Sequence, residues 1–381
     1  MSEYDLLQFH AFCLTETGSR LDQYAAALAS RVRQGDVVLD LGTGSGLLAL
    51  LACRAGARHV YAIEASGAIR FGELLASTTG LEDRIELIQA PSSQLTLPER
   101  VDAIVADIHD TFGLQAGGLA TLFDARDRFL KPGGALIPRA IQLMAAPVEA
   151  SHLYAKEVDV WIRRVQDVDV SPLRPFAVNQ VHPARFGPEH LLAKPAELTV
   201  VDLERATDPH AGGVVRAVAL RDGTMHGVCG CFATTLADGV TMSNVPGDGG
   251  TTNFAQAFFP LDAPVPVVRG DTISMGIEGY DGQVMRWRVD IARPGQPPHA
   301  RFEHSSFAAT LLSMKTLRKH ADDYRPMLTR WGAMERALLE RFDGTSPAAD
   351  LRSWLREHFG DQLPSQREAE SFLKSTIERC G

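Results

Sequence analysis

Through the first 147 residues, short apolar runs rich in β-branched side chains alternate with stretches whose apolar residues recur at helical spacing. That rhythm predicts a parallel α/β sheet. VVLDL (37–41), HVYAIEA (59–65), RIELIQA (84–90), VDAIVAD (101–107) and GALIPRAIQLMAA (134–146) read as strands, each bounded by Gly, Pro, Asp or Ser. LLALLACRAGA and AIRFGELLASTTG, between them, read as helices, the first ending at Gly56. From 148 to 304 the pattern changes to many short alternating segments broken by Gly, Pro and Asp, which predicts an antiparallel β-barrel or sandwich. RDG and YDG within it read as hairpin turns, since Asp-Gly tolerates the positive φ such turns need. From 305 to 381 helical spacing returns, with Ser346-Pro347 and Ser365 as N-cap regions.

Composition narrows the partners. With 381 residues, 45% apolar and 22% charged, the chain has the balance of a soluble globular protein of two or three domains. A net charge of −9, carried almost wholly before residue 304, argues against nucleic acid as a partner. The five cysteines form no CxxC and no Cys/His pairing at zinc-ligand spacing, so neither a disulfide framework nor a metal site is expected. MSEYDLLQFHAF does not read as a signal peptide, and no apolar run reaches about 18 residues. No membrane partner is expected, and a cytoplasmic location is.

The strongest local signal is VVLDLGTGSGLLAL, a strand running into Gly42, Gly44 and Gly46 with a helix starting at once. Small residues allow a tight turn and let a ligand approach the backbone, while the amides of the following helix stay free to donate. Position 47 is Leu, so the dinucleotide fingerprint GxGxxG is not met. Glu64 ends the second strand, where a carboxylate can accept both hydroxyls of a ribose. NAD and S-adenosylmethionine both need that acid; Asp40, just before the first glycine, favours the methyl donor.

On these residues the first 147 positions resemble a class I S-adenosylmethionine-dependent methyltransferase, and more narrowly the protein arginine methyltransferases. VVLDLGTGSGLLALLACRAGARHVYAIEAS follows that family's first two motifs, and Arg20 and Tyr24 keep its R-x-x-x-Y spacing. FLKPGGALIPRAIQL resembles the segment leading into the family's barrel, and TTNFAQAFFPLDAPVPVVRGDTISMGI the segment with its Thr-His-Trp loop. The likeness covers roughly residues 9 to 291. It implies a Rossmann-like α/β domain (1–147), an antiparallel β-barrel domain for substrate and dimerisation (148–304) and a C-terminal helical extension (305–381). It further implies S-adenosylmethionine as cofactor, Arg20 on the donor's carboxylate, and donor contacts from Asp40, Gly42, Gly44, Glu64, Ala65, Ala90, Pro91, Ser92 and Asp107. A homodimer follows by the same analogy.

On the acceptor side the family's pattern breaks. Its members clamp a guanidinium with two glutamates on the loop after the fourth strand; here that loop reads ADIHDTFGLQAGG, with Asp107 at the first position and Ala116 near the second. The Thr-His-Trp loop has become Thr252-Asn253-Phe254. Asp107, His109 and Asp110 sit where open α/β sheets place their ligands and are the candidates for catalytic polar work. His109 could act as a base or be an ordinary solvent-facing histidine; Asp107 could orient a cation or the donor's ammonium, or merely end its strand. Asn253 could reach the acceptor from the barrel, or be a hairpin residue. Cys229 and Cys231 share a strand face and read as packing. ALLERFDGTSPAADLRSWLREHFGDQLPSQREAESFLKSTIERC resembles the small winged-helix modules that hold precursor peptides in peptide-modifying pathways, or is a plain helical cap. The expectation is a methyltransferase acting on a small molecule or other non-arginine acceptor in specialised biosynthesis. The alternatives are a peptide or protein methyltransferase with atypical arginine recognition, and a non-catalytic scaffold.

Overall fold

Val37–Leu41 (β1) is buried along its whole length, as expected of a strand covered by helices on both faces. The computed structural model describes residues 20–249, 252 and 254–380, together with residues 8 and 11. Around β1, strands His59–Glu64 (β2), Ile85–Gln89 (β3), Val101–Ala106 (β4) and Leu130–Ile137 (β5) form a parallel sheet in the order β3-β2-β1-β4-β5. The order reverses between β1 and β4, so the crevice beyond their carboxyl ends is the natural ligand position. The helix Leu47–Ala55 stops at Gly56 and Ile69–Thr79 at Gly80, both glycines at positive φ. Gly46 has φ +79, and a Cβ there would lie 3.1 Å from the Cα of Gly72, so the turn after β1 admits only glycine at this point.

The run 134–146 is two strands, not one. The cis peptide Ile137–Pro138 separates β5 from Ala140–Val148 (β6), and β6 already belongs to the antiparallel part. A short exposed hairpin, Arg164–Val165 (β7) with Val168–Asp169 (β8), follows, turning at Gln166 and Asp167 with positive φ. Then come His182–Ala184 (β9), Ala196–Asp202 (β10), His210–Val218 (β11), Gly223–Ala237 (β12), Val240–Ser243 (β13), Gln256–Val267 (β14), Thr272–Tyr280 (β15), Val284–Ala292 (β16) and Pro298–Ser305 (β17). They make two antiparallel sheets, β10-β6-β12-β14-β9 with β13 on β12, and β11-β15-β16-β17, which together form the barrel-like part. YDG is the hairpin turn joining β15 to β16. RDG is not a hairpin: β11 pairs with β15 while β12 pairs with β6 and β14, so Arg221–Gly223 carries the chain from one sheet to the other. Cys229 and Cys231 pack with Tyr154, Phe186 and Phe258 in a satellite apolar cluster.

Contacts divide the chain into two compact units, Met1–Thr310 and Leu311–Gly381. The second has its own core of Met334, Leu338, Leu351, Leu355, Leu363, Ala369 and Leu373, from the helices Arg330–Leu339, Ala348–Phe359 and Gln366–Cys380. Ser365 and Glu368 exchange hydrogen bonds with each other's backbone amides, a capping box that starts the last helix. The stretch 305–324, expected to be helical, holds only the five-residue helix Met314–Arg318 and a 3-10 turn, Ser306–Ala309.

Candidate active site

The glycine turn after β1 and the residues that end β2 and β4 open into one cavity of about 460 Å³, within the range of small-molecule sites. Its walls include Arg20, Gly42, Gly44, Glu64, Asp107, His109 and Asp110. Gly42 and Gly44 both have positive φ, and the Gly42 and Thr43 amides donate to the Ile63 carbonyl, which fixes the turn against β2. Glu64 accepts from the Gly44 amide at 3.2 Å and the Ser66 amide at 2.7 Å. A carboxylate offers about four lone-pair directions, so it retains capacity for two ribose hydroxyls.

Asp40 lies beneath this surface, fully buried. Its Oδ2 accepts from the Thr43 hydroxyl at 2.5 Å, and among the described residues its Oδ1 has no hydrogen-bond partner. Burial, helped by the charges of Glu64 and Asp107 and opposed by the Thr43 bond, pushes its pKa up from 3.8 to about 7. Between those two values the folded state holds a proton that the unfolded chain has lost. The stability due to this group therefore falls as pH rises from about 4 to about 7 and stays low above that. Asp40→Asn removes the titration, so its melting temperature relative to the native chain should climb between about pH 4 and about pH 7 and level off above that. A difference that stays constant over that range would contradict the buried carboxyl.

Opposite the glycine turn, Asp107 follows β4 and joins three groups. Arg20 Nη1 sits 2.7 Å from its Oδ2, His109 Nδ1 lies 2.9 Å from its Oδ1, and the Tyr24 hydroxyl reaches Oδ1 at 3.5 Å while donating to the Ala106 carbonyl at 3.0 Å. Burial alone would raise the Asp107 pKa; the Arg20 guanidinium and the His109 bond outweigh it and hold the carboxyl below its ordinary value. The Phe254 ring faces the Arg20 guanidinium at 5.4 Å. His109 is buried, stacked on Phe232 at 5.3 Å, with Nε2 2.9 Å from the Thr234 hydroxyl of β12. The solvent-facing reading of His109 is thus wrong. With both ring nitrogens engaged, it orients Asp107 and offers no spare lone pair. Asp110 stays exposed at the cavity wall, one oxygen accepting from the Thr111 amide, and among the described residues no cation pairs with it.

The structure thus brings together Arg20, Gly42, Gly44, Glu64, Asp107, His109 and Asp110, with Asp40 just behind. Ala65, Ala90, Pro91 and Ser92 sit at the ends of β2 and β3, outside the lining of this cavity, and the Ser92 carbonyl is held by Arg128 at 2.8 Å. Asn253 lies outside the described residues. The barrel side chain that hydrogen-bonds His109 is Thr234, 125 positions away in sequence, and no local signal marks it. In the sequence, Phe254 is visible only as the residue standing where the family has tryptophan.

Two family models match the chain: "Ribosomal protein L11 methyltransferase (PrmA)" over residues 21–142 and "Arginine methyltransferase oligomerization subdomain" over 139–292. An arginine N(omega)-methyltransferase of Streptomyces achromogenes subsp. streptozoticus is 30% identical, with 72% of this chain and 76% of the relative covered. Protein arginine N-methyltransferase 6 of Danio rerio is 30% identical, with 71% and 82% covered. Among solved structures, the Trypanosoma brucei PRMT1 enzyme-prozyme complex with AdoHcy superposes with a TM-score of 0.70 at 20% identity, over 80% of this chain and 99% of that one.

These relatives overturn the expected small-molecule or other non-arginine acceptor, since both are named for arginine. The expectation fails because it ties guanidinium recognition to glutamates at two positions. In this cavity a shorter carboxylate, Asp107, already holds a guanidinium, that of Arg20. The scaffold alternative falls with it. The cavity, the Glu64 acceptor and the glycine turn fit S-adenosylmethionine, and the matched relatives span more than two thirds of their length: the chain is an S-adenosylmethionine-dependent methyltransferase and belongs to the protein arginine N-methyltransferase family.

Proposed function

We propose that this enzyme methylates the guanidinium of arginine side chains in polypeptides. The observation that carries the reading is the 30% identity, over more than two thirds of each partner, to relatives named for arginine methylation. When bound, S-adenosylmethionine supplies an activated methyl group. The chain's own residues bind and orient. A guanidinium keeps its proton in water and presents a planar fork of donors, so it is held best by carboxylates set at the cavity edge. Asp107, kept ionised by Arg20 and His109, and Asp110, against which no cation lies among the described residues, are those carboxylates in this reading. With positive charge drawn toward them, the far nitrogen is left to face the donor. Most of the acceleration then comes from placement and exclusion of water.

The enzyme is further proposed to act as a cytoplasmic homodimer. Support for the dimer is the oligomerization-subdomain match and the exposed apolar side chains Ile162, Val165, Val168 and Leu173 around the β7–β8 hairpin. Support for the location is the free thiols of Cys53, Cys229, Cys231 and Cys380. No helix among the described residues is long and apolar enough to cross a membrane.

The test compares initial rates on one unstructured peptide carrying a single arginine with the same peptide carrying lysine at that position. A rate on the arginine peptide at least about a hundredfold above the lysine peptide is expected, because an ammonium does not fill a planar fork site. Equal rates on the two would refute the proposal.

A further inference from the structure

The loop from Asp107 to Thr121 carries much of the cavity's acceptor wall, including Asp107, Asp110, Gln115 and Thr121. It folds back on itself, the Gln115 amide donating to the Ile108 carbonyl at 2.8 Å, and leads into the helix Gly118–Phe129. That helix has no capping side chain of its own, because Gly117 stands at its N-cap. The cap comes from the barrel. Asp281, in the β15–β16 turn, accepts at Oδ1 from the Leu119 amide at 3.0 Å and the Ala120 amide at 3.2 Å, and its carbonyl accepts from the Gly117 amide at 2.8 Å. One residue, 162 positions downstream of Leu119, thereby serves three of the amides that a helix start leaves unpaired, and its carboxylate lies at the positive end of the helix dipole.

Asp281 is buried and adopts φ +49, a conformation a non-glycine residue keeps only where its surroundings enforce it. The next residue leaves no slack, for a Cβ on Gly282 would lie 2.8 Å from the Leu114 carbonyl oxygen. At the other end of the same loop a second barrel residue repeats the device. Buried Asn244 donates through Nδ2 to the Thr111 carbonyl at 3.0 Å, while its Oδ1 accepts from the Phe232 amide at 2.7 Å. Phe232 in turn stacks on His109.

We propose that Asp281 and Asn244 are positioning residues for the acceptor: they touch neither substrate nor donor, and they set the acceptor wall by strapping the 107–121 loop to the barrel. The donor contacts built on the turns after β1 and β2, Gly42, Gly44 and Glu64 among them, do not depend on these bonds. The inference rests on the arginine reading above for its substrate.

The test uses the full-length enzyme, an arginine-containing peptide and S-adenosylhomocysteine. Asp281→Ala should raise KM for the peptide by on the order of tenfold or more, since a displacement of about 1 Å can cost that much. Its affinity for S-adenosylhomocysteine should stay within about twofold, the span of an effect too small to need a lost contact. Asp281→Asn keeps an oxygen for the Leu119 and Ala120 amides and should restore most of the loss, which a general folding defect would not permit. An unchanged peptide KM in Asp281→Ala, or a parallel loss of donor affinity, overturns the proposal. If that variant does not fold, Asn244→Ser carries the test, with the same rise in peptide KM expected and an unchanged value decisive against it. Should the native enzyme fail to methylate arginine, the arginine reading is what fails. Hydrogen exchange at the Leu119 and Ala120 amides, expected to accelerate in Asp281→Ala, still decides whether the barrel holds the loop.

Discussion

Asp107→Ala lowers methyl transfer to an arginine peptide by on the order of a hundredfold or more, because it removes the charged group around which the acceptor side is arranged. It also destabilises the fold. Arg20 loses its Asp107 partner, and breaking a buried pair from one side costs up to about 3–5 kcal/mol. The Asp107 side chain keeps a fifth of its exposure, so the lower end of that range is the one to expect. A double variant separates the two effects. Arg20→Met with Asp107→Asn removes both charges, and stability should return toward the native value; because Arg20 is also expected on the donor's carboxylate, activity is compared at saturating donor, where it should stay low. Recovery of activity together with stability would mean that Asp107 matters only as Arg20's partner. Asp110→Asn is the matching control, an exposed change that should move stability by no more than about 0.5 kcal/mol.

Glu64→Ala should weaken S-adenosylhomocysteine binding, measured by calorimetry, by on the order of a hundredfold to ten-thousandfold. Two hydrogen bonds to a charged acceptor are lost, each worth about 1.5–3 kcal/mol, and about 1.4 kcal/mol is tenfold in affinity. Part of the loss arises before any ligand arrives, since the Gly44 and Ser66 amides also lose their acceptor and the glycine turn loosens. Glu64→Gln keeps one carbonyl oxygen and should fall between the two. An affinity unchanged in Glu64→Ala would place the donor somewhere other than the crevice between β1 and β2.

The chain is most legible in advance where local chemistry and tertiary environment agree. VVLDL and VDAIVAD announce strands because a parallel sheet covered on both faces demands unbroken apolar runs, and β1 is buried throughout. The glycine turn and Glu64 are legible because a close backbone approach and a ribose acceptor restrict the residue types that serve. The run 134–146 reads as one strand because its apolar character continues through Pro138, while the chain changes sheets there. Asp-Gly turn logic fails for RDG, where the strands on either side of Asp222 belong to different sheets, and succeeds for YDG, where β15 and β16 are true partners.

The site's internal wiring leaves no such trace. Thr234 meets His109, and Asp281 caps the helix at Leu119, across 125 and 162 positions, so neither partner carries a mark of the other in its neighbourhood. The acceptor is misjudged for a related reason. Two missing glutamates are visible in a sequence, whereas a carboxylate held ionised by a neighbouring arginine and histidine is visible only in three dimensions.

The most direct measurement is to label the arginine peptide with methyl-labelled donor, hydrolyse it completely and separate the amino acids. The account predicts that the label elutes as methylated arginine and that Asp107→Ala gives less of it by about a hundredfold or more. Label in any other amino acid, or label left in a small molecule while the peptide stays bare, would contradict it.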